Sequence, residues 1–245
     1  MNIPKIAVLI GSYFPNENWH FKNDRIHLPE WFSHFNEQTP NSNDYRFIIS
    51  DGGSHPNIKE EIIKLRKDNV EVYLDGPHGE FYNFKYLVSK LKDEEYVLYI
   101  ANDMIIRNID HEDWIGKCID LLNKYNPFAT AIWSGGKIGT HPWDYESLLE
   151  PNVYRMRHIS TQIILMKRET VNKIDWDYVD EKIQKSELGH WEAWLNERYN
   201  KPGDYLDNLC VTYNHDKLGC ITLGSYSPEK LNTYKNSTNF FSHDY

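Results

Sequence analysis

Residues Ile48–Ser54 read IISDGGS. They close a longer apolar run, Tyr45–Ser50 (YRFIIS), in which hydrophobic side chains do not alternate with polar ones. Such a run reads as a strand covered on both faces, the signature of a parallel sheet. The Asp-Gly-Gly-Ser that ends it is turn chemistry. Upstream, Lys5–Ile10 (KIAVLI) is a second run of this kind, ending at Gly11. Between the two lies a polar stretch with a predicted helix over Pro29–Asn36. Downstream of Pro56 comes IKEEIIKLRKD, with Ile58, Ile62, Ile63 and Leu65 at roughly helical spacing. A third strand is predicted over Val70–Leu74, an amphipathic helix over Phe81–Leu91, and a fourth strand over Tyr96–Ile100 (YVLYI), followed by Ala101-Asn102-Asp103.

Strands alternating with helices predict an α/β fold with a mixed, mainly parallel sheet flanked by helices. In such sheets ligands bind at the carboxyl ends of the strands. Ser12, Asp51 and Asp103 follow strands directly and are therefore candidate site residues. Beyond residue 105 the alternation weakens. A helix is predicted over Asp110–Tyr125, strands over Phe128–Trp133 and Ile159–Met166, a helix over Ser186–Tyr199 with Ser186 as N-cap, and a short strand over Cys210–Tyr213. From Pro228 the chain is polar and irregular. With no repeat and no linker, residues 1–245 are expected to form one domain, in which 1–105 and 106–245 are two functional halves.

Composition narrows the function. The chain carries 27 Lys+Arg against 36 Asp+Glu, a net charge of -9. General nucleic-acid binders and basic membrane-surface proteins neutralise phosphate with Lys and Arg, so the balance argues against both. An anionic ligand would need a metal or a local cluster of donors. Cys118, Cys210 and Cys220 are an odd count without a CxxC, which points away from a disulfide framework and towards a reducing compartment. The N-terminal apolar run is too short for a signal segment or a membrane span. The expectation is a soluble cytoplasmic protein, bacterial or in the cytosol of a viral host, since the Asn-, Lys-, Tyr- and Ile-rich composition fits an AT-rich genome. The 17 Tyr and 8 Trp suggest either an aromatic surface that stacks on sugars or plain aromatic packing. No HExxH, GxxxxGK[ST], GxGxxG or GxSxG occurs, which argues against the corresponding metalloprotease, P-loop, dinucleotide and hydrolase chemistries.

Taken in order, the strand ends resemble those of the GT-A nucleotide-sugar glycosyltransferases, most nearly the family 2 type, over about residues 4–218. Five segments carry the resemblance: IAVLIGSY (Ile6–Tyr13), IISDGGS (Ile48–Ser54), GEFYNFKYLVSKL (Gly79–Leu91), EYVLYIANDM (Glu95–Met104) and SELGHWEAWLNERYNKPGDYLDNLCVTYNHD (Ser186–Asp216). The resemblance implies a nucleotide-sugar site built from Ser12, Tyr13, Asp51, Gly52, Asn83, Asn102 and Asp103, with Asp51 on the base or ribose. It implies Mn2+ or Mg2+ held by Asp103 and His215. Here the chain departs from the family, because Ala101 stands at the first acidic position of the metal motif. The acid pair that opens the acceptor-side helix is also replaced, by Gly189-His190. His190 is the expected general base, with Glu187 orienting it and Glu192 as the other candidate. Trp191 and Trp194 are expected on the acceptor side, with Trp133, His141 and Trp143 as further groove residues.

The implied function is transfer of a sugar from a UDP, GDP or dTDP donor to a glycan or lipid-linked glycan, as in polysaccharide biosynthesis, with inversion expected ahead of retention. Two alternatives stand beside it. One is a degenerate GT-A domain that binds carbohydrate or a partner protein. The other is an enzyme acting on a modified nucleic-acid base, against which the net charge counts.

Overall fold

The computed structural model describes residues 5–13, 28–102, 104–132, 147–156, 158–185, 191–205, 209–215 and 217–222. Strand β1 (Ile6–Ser12) pairs in parallel with β2 (Arg46–Asp51) on one side and β4 (Tyr96–Ile100) on the other. Strand β3 (Val70–Tyr73) adds in parallel to β2. Helix α1 (Leu28–Gln38) precedes β2, α2 (Pro56–Ile63) links β2 to β3, and α3 (Glu80–Val88) links β3 to β4.

The unbroken apolar runs have a direct cause. Along β1, Ile6, Val8 and Ile10 join one core cluster, while Ala7 and Leu9 join the other. Successive strand residues face opposite sides, so helices on both faces demand hydrophobic residues at every position. One cluster packs Trp31, Phe47 and Trp114 around Phe35. The other packs Phe81, Phe84 and Tyr99 around Trp191. Burying each such ring contributes about 2–3 kcal/mol. Among the described residues most aromatics serve this packing; the exposed large hydrophobics are Tyr13, Ile109 and Leu148.

Beyond β4 the chain leaves the main sheet as β5 (Met104–Asn108), which pairs with β11 (Leu218–Thr222) in a separate antiparallel ribbon. Helix α4 (Trp114–Tyr125) follows, started by Asp113, whose carboxylate accepts the Gly116 N–H at 3.0 Å. Then come β6 (Ala129–Ile132), the hairpin of β7 (Ser147–Glu150) and β8 (Val153–Met156), and β9 (Ile163–Lys167). Helices α5 (Arg168–Asn172), α6 (Trp176–Lys185) and α7 (Trp191–Tyr199) lead to β10 (Cys210–Tyr213). The nine-stranded order is β3-β2-β1-β4-β9-β6-β10-β8-β7. Strand β9 enters antiparallel between β4 and β6, so both halves of the chain share one sheet.

The main sequence expectations correspond to elements, with two physical departures. The strand expected over Ile159–Met166 begins only at Ile163, because side chains of α7 take the backbone groups of residues 159 and 161. Strands β5, β7, β8 and β11 and helices α5 and α6 were not expected. The three cysteines are buried and not joined in disulfides, and burial pushes Cys118 and Cys210 up to about 12. Among the described residues no helix is long and apolar enough to cross a membrane.

Candidate active site

Strands β2 and β4 leave β1 in opposite directions, so a crevice opens where their carboxyl ends part, the usual ligand position in such sheets. A cleft of about 300 Å3 lies there. Gly11, Ser12 and Tyr13 form its β1 side, Gly52 its β2 side, and Ala101 and Asn102 its β4 side.

The Asp51 carboxylate is a fully buried hub of this floor. It accepts from the Ser12 hydroxyl at 3.1 Å, from Gly53 N–H at 3.2 Å, from Ser54 N–H at 2.9 Å and from the Ser54 hydroxyl. In this arrangement Asp51 orders the DGGS turn, and the turn presents Gly52 to the cleft. A side chain at Gly52 would approach the Pro77 carbonyl to 3.1 Å.

Helix α3 starts on the cleft. Its cap, Gly79, has φ 94, a left-handed value that favours glycine, and offers no side-chain cap. Gly79, Glu80 and Asn83 of this helix terminus line the cleft, and the first N–H groups of a helix have no carbonyl of their own helix to bond. Asn83, in the next turn, is 5% exposed and lines the cleft. It donates to the Ser50 carbonyl at 3.3 Å, and its Oδ1 has no hydrogen-bond partner among the described residues. Such an orphan costs about 1–3 kcal/mol unless something donates to it. Glu80 also lines the cleft and accepts from the Tyr99 hydroxyl at 3.3 Å. Tyr13 and His78 meet edge to face at the mouth, with ring centroids 4.3 Å apart.

The cleft thus gathers Ser12, Tyr13, Gly52, Asn83 and Asn102 from the expected set. His78, Glu80 and Gln162 join them without having been expected. Their only sequence signals are positions beside Gly79 and immediately before a strand. Asp103, Glu187, His190, Trp133, His141 and Trp143 lie outside the described residues.

Trp191 is placed differently from its expected acceptor role. Its ring is 2% exposed and packs between Phe81, Phe84 and Tyr99, leaving no face for a sugar. Trp194 is half-buried, and Lys182 covers its ring at 5.1 Å. Glu192 is engaged by His158 and Thr161.

His215 is set apart from the cleft. It stacks on Tyr213 and bridges to Leu218, which pairs with Asn108 at the far end of β5. Met104, next after Asp103, begins β5. Met104 and Asn108, four residues apart on the strand, lie about 13 Å from each other at roughly 3.3 Å per residue. Among the described residues no three His, Cys, Asp or Glu side chains converge as a metal site. Asp103 lies outside the described residues, and the expected sharing of a cation between Asp103 and His215 lies outside them with it.

The parallel β3-β2-β1-β4 unit, the antiparallel β9 beside it and the cleft at the switch point constitute a GT-A fold, as the sequence resemblance implied. Solved structures with this fold include S. aureus TarS 1-349 (TM-score 0.56, 14% identity, 93% of this chain and 62% of that one). The same TarS fragment in complex with UDP-GlcNAc aligns at TM-score 0.54 and 13% identity, over 89% of this chain and 58% of that one. GalNAc-T7 with UDP, GalNAc and Mn2+ aligns at TM-score 0.54 and 15% identity, over 86% of this chain and 43% of that one. The chain thus spans less than two thirds of the length of each of these proteins. No family model and no curated protein matches the chain.

Proposed function

We propose that this chain transfers a sugar from a nucleoside diphosphate sugar to a hydroxyl of a glycan or glycolipid acceptor. The observation that carries the reading is the cleft at the β1–β4 switch point, where a helix N-terminus meets a buried amide oxygen that lacks a donor. The start of α3 supplies backbone N–H groups and partial positive charge for a phosphate. In a chain of net charge -9, that is the local donor cluster an anionic ligand requires. Asn83 Oδ1 would accept an N–H of the base or a ribose hydroxyl. Tyr13 and His78 would flank the base, and Asp51 would act through the turn it orders. Glu80, Asn102 and Gln162 would accept from or donate to sugar hydroxyls.

The acceptor hydroxyl must lose a proton as it attacks the anomeric carbon. His190, the residue before α7, is our candidate base, with Glu187 as its partner and inversion as the outcome. Donors aligned at the α3 terminus would offset charge on the departing diphosphate. No step here depends on the Mn2+ or Mg2+ expected at Asp103 and His215. The UDP ligands of the TarS and GalNAc-T7 structures make UDP the first probe.

The test is calorimetry and thermal denaturation with UDP, GDP and dTDP, each with Mn2+ and with EDTA. At least one nucleotide should raise Tm, by mass action on the folded state. If none does under either condition, the reading fails. A binding-only reading is favoured by Ala101, which lines the cleft where the family carries an acid. It predicts nucleotide binding with no release of UDP from UDP-GlcNAc in the presence of glycan acceptors.

A further inference from the structure

Residues 158–162 approach β9 without helix or strand of their own, and two side chains of α7 hold them. Glu192 and Asn196 lie one helical turn apart and so share a face. The Asn196 amide brackets Ile159: its Oδ1 accepts the Ile159 N–H at 2.9 Å, and its Nδ2 donates to the Ile159 carbonyl at 3.2 Å. The Glu192 carboxylate accepts the Thr161 N–H at 2.7 Å and the Thr161 hydroxyl at 3.2 Å, and pairs with His158 Nε2 at 2.6 Å. One residue further, Gln162 lines the cleft, and its carbonyl accepts the Ala101 N–H at 2.8 Å. A continuous path of bonds thus runs from α7 through Thr161 and Gln162 to Ala101, beside Asn102.

A general base needs a free lone pair and a pKa near the working pH. Three donors already occupy the Glu192 carboxylate, two on Oε2 and one on Oε1. Burial pushes its carboxyl up, but the bonds from His158 and Thr161 outweigh burial and hold it below its usual range. That makes it a weaker base than an ordinary glutamate.

We infer that Glu192 is a positioning residue, which anchors Thr161 and thereby sets Gln162 and Ala101–Asn102 as the wall of the donor cleft. The functional half of this inference rests on the donor-cleft reading above; the anchoring itself does not.

The experiment compares Glu192→Ala and Glu192→Gln in the full chain, with UDP as the binding probe, UDP-GlcNAc as the donor and amide hydrogen exchange as the structural readout. Glutamine keeps an acceptor for the Thr161 N–H, so Glu192→Gln should hold UDP affinity and kcat within about threefold of wild type. Alanine should accelerate exchange at residues 159–162 and 101 and weaken UDP binding about tenfold, raising the donor KM more than it lowers kcat. Should the alanine variant not fold, Thr161→Val, which removes only the hydroxyl bond, is expected to weaken UDP about threefold while the fold persists.

Loss of turnover by about a hundredfold in Glu192→Gln, with UDP affinity intact, would make the carboxylate a proton acceptor and overturn the inference. So would unchanged exchange at 159–162 in Glu192→Ala, or unchanged UDP affinity in Thr161→Val where that variant replaces it. If the wild type binds no UDP while Glu192→Ala still loosens 159–162, the anchoring stands and the donor reading falls.

Discussion

Ser12 and Asp51 stand opposite each other in the β1–β2 register, and the Ser12 hydroxyl donates to the Asp51 carboxylate at 3.1 Å. The bond ties the ends of two neighbouring strands together under the cleft. Asp51→Ala would strand the donors of Ser12, Gly53 and Ser54. It is expected to destabilise the fold by about 3 kcal/mol. Urea denaturation measures this; a loss under about 0.5 kcal/mol would mean that Asp51 does not hold the turn.

Asn83 separates a structural role from a ligand role. Asn83→Asp keeps the shape and the Oδ1 acceptor, replaces the Nδ2 donor to the Ser50 carbonyl by an oxygen as Asn83→Ala also removes it, and brings negative charge beside the proposed diphosphate. UDP affinity is expected to fall more than tenfold, and further than in Asn83→Ala. Calorimetry with UDP decides it, and equal affinities in all three proteins would remove Asn83 from the site.

The indole of Trp191 packs in the core, so its replacement should be felt in stability. Trp191→Ala is expected to cost about 3–5 kcal/mol, and Trp191→Phe much less. A normal Tm for Trp191→Ala together with a raised acceptor KM would put the ring back on the acceptor side.

His215 stands at the other end of β5 from Met104, the residue after Asp103. His215→Ala should therefore leave UDP affinity, with or without Mn2+, within about twofold of wild type. A Mn2+-dependent loss of tenfold or more would place this imidazole on the cation after all.

Acid stability has a named contributor at the amino ends of the strands. Hydrogen bonds from Arg46, with help from Lys92 and Tyr73, outweigh partial burial and hold Glu71 at about 2. A depressed carboxylate adds stability above its unfolded value and loses it as pH falls through the folded one. The contribution, of order 1–2 kcal/mol after solvent screening, should fade between about pH 4.5 and pH 2. Denaturation series over that range should be flatter for Glu71→Gln; identical slopes would assign the loss to other groups.

Much of the fold was legible because burial on both faces writes itself as unbroken apolar runs such as KIAVLI and YVLYI. Direction was not legible. IILM in β9 is as apolar as the parallel strands β1 and β4, and only the connection between elements reverses it. The DGGS turn was found at once, yet the engagement of its aspartate was hidden, since one donor, Ser12, lies 39 residues away. Ile159–Gln162 read as strand because they run directly into the apolar IILM of β9. Their backbone is claimed by Glu192 and Asn196, more than thirty residues on, a contact that no local pattern encodes. His78 and Gln162 belong to no motif and reach the cleft through geometry alone.

Strand β9 bonds to β4 from Tyr96 to Ile100 and to β6 at Thr130. It works as a mechanical splice. Where two lobes joined by a linker can swing shut on a ligand, a sheet laced across its middle resists shear, and the two halves of this chain share one plate. A ligand seated at the strand ends would then rest on a floor that neither half of the sheet can part by moving against the other.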